Sequence, residues 1–105
     1  MSQQNLTLMH AVIVEEEVQF TLIELGRACR ADIEQLIALV DEGVLTPIGE
    51  APPQWRFDGS SLRRARAALR LTRDLELTAA GAAMVLDLLD EIDALRSRLQ
   101  RLGSR

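Results

Sequence analysis

A chain of 105 residues is one domain, or one small domain with a helical arm, and 48% apolar with 27% charged residues is the composition of a folded protein. Three aromatics (Phe20, Trp55, Phe57), one Cys and one His exclude a stacking platform for single-stranded nucleic acid, an intrachain disulfide and a zinc site with a full ligand set. The formal charge of −4 counts against a general polyanion binder. It is uneven: residues 1–59 carry three arginines against ten acids, a net −7, and residues 60–105 carry nine against six, a net +3.

In chain order, residues 6–14 are β-branched and apolar and read as a strand, interrupted by Glu15, Glu16 and Glu17. Thr21-Leu22-Ile23-Glu24 is a capping box that starts a short helix at 22–29, and Arg30-Ala31 is a tight turn. Asp32-Ile33-Glu34-Gln35 repeats the capping pattern. Ile33, Leu36, Ile37 and Val40 then form one apolar helix face, ended by Gly43. Pro47, Gly49, Pro52 and Pro53 forbid a helix through the next segment. Val44-Leu45 and Gln54–Phe57 are expected as the two extended arms of a β-hairpin, or wing. Asp58 caps a third helix, about residues 60–75. Leu77-Thr78 breaks it, and Thr78 caps a last helix, about residues 79–102.

That last helix has the strongest periodicity. Val85, Leu88, Ile92, Leu95, Leu99 and Leu102 alternate steps of three and four, the seam of a coiled coil. Leu86 and Leu89 widen the stripe where the helix should touch its own domain. Beyond it the seam is narrow, and a second copy of the chain is the economical cover. The expected organisation is a domain over residues 1–77 and a dimerisation helix over 78–105, giving a homodimer.

The order of elements resembles the MerR-type winged helix-turn-helix. The resemblance is carried by Thr21 through Cys29, by Leu36 through Glu42-Gly43-Val44-Leu45, and by Trp55-Arg56-Phe57-Asp58. DNA-binding members typically have a basic and aromatic stretch in the second helix. Here Asp32 through Glu42 holds four acids and no base. With that departure, the extended amino-terminal segment, Phe20-Thr21-Leu22, Arg66 through Leu71, Leu77, Ala79 through Ala83 and Leu86 through Leu95 make the chain similar to the CbpM family of chaperone modulators, over about residues 6–102. That resemblance implies a mainly α, MerR-like fold with a short strand and wing and a long coiled-coil helix. It also implies a regulator that binds the J-domain of a DnaJ-like co-chaperone of the CbpA type and blocks its work with its chaperone.

J-domains present a positively charged helix, so a competitor needs an acidic docking face with a desolvated apolar centre. Glu34, Asp41 and Glu42 cluster on the second helix away from Leu36 and Val40, and Ile33 and Ile37 are the candidate centre. Asp32 is better read as a cap. A second acidic cluster, Asp87, Asp90, Glu91 and Asp93, could meet the partner instead, or pair with Arg across the dimer.

The alternative is a MerR-like transcriptional regulator. It rests on a basic stripe in the third helix, Arg63, Arg66, Arg70 and Arg73, which could neutralise phosphates. Against it, the helix that would enter the major groove carries carboxylates, and the stripe has a plainer reading as a solvated face or as ion pairs to the long helix. Catalysis is the least favoured class. His10 has no carboxylate or Ser partner nearby in sequence. Cys29, between Arg27 and Arg30, could have a lowered thiol pKa but is better read as a small buried residue. No cofactor is expected. No membrane-length apolar run and no signal pattern is seen, so a cytoplasmic location is expected.

Overall fold

The structure is a computed structural model that describes residues 18–103. The strand expected over 6–14, with His10 and the three glutamates after it, lies outside the described residues. Four helices and a two-stranded antiparallel sheet follow.

Strand β1 (Phe20–Thr21) runs directly into α1 (Leu22–Cys29). The join is the expected capping box: the Thr21 hydroxyl accepts from the Glu24 N–H at 3.1 Å, and the Thr21 N–H donates to Glu24 Oε1 at 2.8 Å. Helix α1 stops at Arg30, whose φ of 54° is left-handed, and the Ala31 N–H returns to the Gly26 carbonyl at 3.0 Å. A Cβ on Gly26 would lie 3.1 Å from the Ala31 carbonyl oxygen, so a side chain here would require the turn to give by a few tenths of an ångström.

Helix α2 (Ile33–Asp41) follows at once, with the Asp32 N–H donating to Gln35 Oε1 at 2.9 Å. Its central side chains are Leu36 and Leu39, 0% and 1% exposed. Leu39 is absent from the apolar face read in the sequence. Ile33, Ile37 and Val40 flank the centre, half-buried against the core.

The hairpin is corrected. Val44 and Leu45 are not a strand: both N–H groups turn back to the Leu39 carbonyl, at 2.9 and 3.3 Å, and both side chains are buried. Capping α2 and filling the core fixes these residues in a compact turn. Strand β2 is Arg56–Phe57, and its partner is β1, with Phe20 opposite Phe57 and Thr21 opposite Arg56. On its other side only an isolated bridge from Ile48 to Arg56 forms. Gln54 belongs to a 3-10 turn, Pro52–Gln54, which the paired prolines favour over an extended chain.

Helix α3 (Gly59–Asp74) is capped by Asp58, whose carboxylate accepts from the Ser61 N–H at 2.9 Å and the Ser60 hydroxyl at 2.6 Å. Ala65, Ala68 and Leu69 face inward, and the alanines let neighbouring helices approach closely. A turn through Glu76, left-handed at φ 55°, leads to α4 (Ala79–Gly103), capped by Thr78, whose hydroxyl accepts from the Gly81 N–H at 3.1 Å. Phe57, Leu25, Leu36 and Leu39 are the largest fully buried side chains, and Trp55 packs edge-on to Phe57 with ring centroids 6.1 Å apart. Only the first turns of α4 join this core, through Ala82 and Leu86. Leu89, expected beside them, is 47% exposed. The 25-residue helix, about 37 Å long, then continues as an arm.

Candidate partner-binding surfaces

Three surfaces could carry function. The first is the outer face of α2. Glu34, Asp41 and Glu42 are all exposed, and no base shares the helix. Ile33 and Ile37 are half-buried, so each offers a partial apolar surface beside these carboxylates while also packing on the core.

The second is the arm. Of the six seam residues, Val85 is half-buried, and Leu88, Ile92, Leu95, Leu99 and Leu102 are 42–67% exposed. The seam does not fold back onto its own domain. The periodicity that the head satisfies internally is unsatisfied here within one chain.

The third is basic. Of the stripe on α3, Arg66 and Arg73 reach back to the end of α1. Arg66 donates to the Ala28 carbonyl at 3.4 Å, and Arg73 donates to the carbonyls of Cys29 and Arg30 at 3.5 and 2.8 Å. The C-terminal carbonyls of a helix lack intrahelical partners and carry its negative dipole end, so guanidinium groups suit that place. Arg63 and Arg70 are exposed on the same helix.

Ion pairs from α3 to the long helix do exist, but through Arg64, which stands outside the stripe. Its Nη1 lies 3.2 Å from Asp90 and its Nη2 3.7 Å from Asp87, while its Nε donates to the Val44 carbonyl at 3.0 Å. Arg64 therefore ties the turn after α2 to the root of the arm. Its partners lie more than 19 residues away on either side, and no local pattern announces them. Two acids of the Asp87–Asp93 cluster are thus engaged within the chain.

Cys29 is buried, and burial pushes its thiol above the ordinary range, although Arg66 and Arg73 act in the opposite direction. It fits the reading of a small core residue. Among the described residues, no three of His, Cys, Asp and Glu are grouped as metal ligands. No helix among them is long and apolar enough to cross a membrane.

A short helix, a tight turn and a second helix, backed by a strand pair and followed by a long arm, is the arrangement expected of a MerR-type domain. The family profile described as MerR HTH family regulatory protein matches residues 7–104. The chaperone modulatory protein CbpM of Coxiella burnetii is 36% identical over 95 residues, covering 90% of each chain. The chain belongs to the CbpM group of the MerR helix-turn-helix family. CbpM of Pseudomonas putida is 33% identical and that of Pseudomonas entomophila 32%, each over 88 residues, 84% of this chain and 87% of the relative. The family assignment thus agrees with the fold, and the similarity spans both the helix-turn-helix and the arm.

Proposed function

We propose that this CbpM-group protein modulates a chaperone system by binding, without catalysis. It takes the J-domain of a DnaJ-like co-chaperone of the CbpA type and inhibits its co-chaperone activity. The observation that carries the reading is the charge of α2: in a helix-turn-helix fold, the helix that would lie in the DNA groove exposes Glu34, Asp41 and Glu42 and no base. Carboxylates there repel phosphate and suit the basic helix of a J-domain, raising the association rate and the specificity. Ile33 and Ile37 supply the apolar centre. The names of the relatives, chaperone modulatory proteins, support the same reading. Residues 1–77 form the binding domain, and residues 78–105 pair two copies through the seam, so the working unit is a cytoplasmic homodimer. Burying Ile92, Leu95, Leu99 and Leu102 at about 1.5–3 kcal/mol each is ample to drive that association. The reading needs no cofactor.

DNA binding is the weaker reading. Two of the four stripe arginines are held on backbone carbonyls at the end of α1, and α2 opposes phosphate. The test is calorimetric titration of the J-domain with the wild-type chain and with Glu34→Lys/Asp41→Lys/Glu42→Lys. Affinity should fall at least tenfold with unchanged circular dichroism. Unaltered affinity would move the interface elsewhere, and retardation of duplex DNA by the wild type at physiological salt would favour the regulator.

A further inference from the structure

Along α1, up to the first residue of α2, runs a surface opposite in charge to the outer face of α2. Two open grooves, of about 370 and 470 Å³, share a wall formed by Ile23 and Ile33. Ile23 is 59% exposed, large for an isoleucine next to a core. Arg27 and Arg30 line one groove and Arg56 the other, with Pro52 and Pro53 as the far side of the second. These are the three arginines of the first 59 residues, the part of the chain with a net charge of −7: Arg27 and Arg30 stand at the end of α1, and Arg56 lies opposite Thr21 at its start. Glu24 and Asp32 are the carboxylates among them, so the lining keeps a positive excess. Around the Arg30 turn the positive surface continues into a cleft of about 250 Å³ lined by Arg66, Arg70 and Arg73 against Asp74.

We infer that the Ile23–Ile33 grooves, with Arg27, Arg30 and Arg56 at their edges, dock a segment of a protein partner that carries an apolar side chain flanked by carboxylates. The apolar wall needs an apolar occupant, which a phosphodiester backbone does not supply. The interleaved Glu24 and Asp32 oppose a continuous run of phosphates but tolerate carboxylates placed against the arginines alone. Arginine pairs with carboxylate through two parallel hydrogen bonds, which sets orientation as well as affinity. The inference goes beyond the J-domain reading: the two surfaces share Ile33, but the carboxylates of α2 require a basic partner and the arginines here an acidic one, so variants that leave Ile33 in place test them separately.

The test is fluorescence anisotropy with the full-length chain and three labelled probes. One is a 14-residue peptide with leucines at helical spacing and glutamates between them. The second is the same peptide with glutamine for every glutamate, and the third a 20-base-pair duplex. The acidic peptide should bind at least tenfold more tightly than its glutamine form, and more tightly than the duplex. Ile23→Ser and the double variant Arg27→Gln/Arg30→Gln should each weaken it at least fivefold with unchanged circular dichroism. The triple lysine variant of α2, on the other surface, should not weaken it. Equal binding of the glutamine peptide, tighter binding of the duplex, or insensitivity to both groove variants would overturn the inference. So would failure of the acidic peptide to bind, and amide spectra of the free chain then say why. If Ile23→Ser shifts residues 6–14, the groove is covered by the chain's own amino-terminal segment.

Discussion

The head, Phe20 to Asp74, and the arm beyond Leu86 are built from the same residue types and differ in where their apolar stripes end. In the head, Leu25, Leu36, Leu39 and Phe57 are 0–1% exposed, each covered by side chains from another element. In the arm, Leu95, Leu99 and Leu102 recur with equal regularity and are 50–67% exposed. The stripe in the head is broad and meets its complement within one chain. The stripe in the arm narrows to a seam with nothing opposite it among the described residues. Amphipathic periodicity therefore states that a face must be covered and leaves open whether the same chain covers it.

The sharpest way to break the comparison is to damage each region by similar chemistry. Phe57→Ala empties the centre of the head, where the strand pair meets α1. It should cost about 3–5 kcal/mol, read as a large fall in the urea midpoint or as loss of the folded state. Leu95→Glu with Leu99→Glu should leave the head folded by circular dichroism and convert a dimer to a monomer in sedimentation velocity. A dimer that persists would place the contact elsewhere.

The smallest effect sharpens the account of the head alone. Thr21→Ala removes the hydroxyl half of the first capping box and should cost about 1 kcal/mol. The same box has a pH signature. Hydrogen bonds from the Thr21 N–H and then the Thr21 hydroxyl hold Glu24 below its ordinary pKa, and those from Ser60 and then Ser61 do the same for Asp58. With folded values depressed, the unfolded chain binds more protons as the solution is acidified. These carboxylates stabilise the fold above about pH 4, the ordinary carboxylate range, and that contribution is lost as pH falls through their folded values. Asp58→Asn should therefore flatten the acid limb of a stability profile, and an unchanged slope would remove the cap from the explanation.

Helix boundaries were legible because capping is local. Thr21, Asp58 and Thr78 each accept from an N–H three residues ahead, so the sequence window that specifies the bond also contains it. The wing was misread because its pairing is not local. Val44 and Leu45 have the composition of a strand, yet closing α2 onto Leu39 satisfies their N–H groups and buries their side chains together. The residues that pair with Arg56–Phe57 come from Phe20–Thr21, more than thirty positions away. The same limit hid Leu39 at the centre of the core, Arg64 as the tie to the arm, and Arg27, Arg30 and Arg56 as the edges of two adjoining grooves.

The sequence by itself determined the four helices, their caps, the MerR-like order of elements and the acidic character of α2. Each depends on spacing within one or two turns or on composition within one element. Only the tertiary structure decided which charges stand together. By sequence the chain is acidic at its start and basic at its end. In space the bases of the acidic half line the two grooves along α1, Arg56 at its start and Arg27 and Arg30 at its end, and two arginines of α3 close over that helix's last carbonyls. Charge along a chain is additive and can be counted, but charge on a surface follows from which elements pack together, and long-range burial sets that packing.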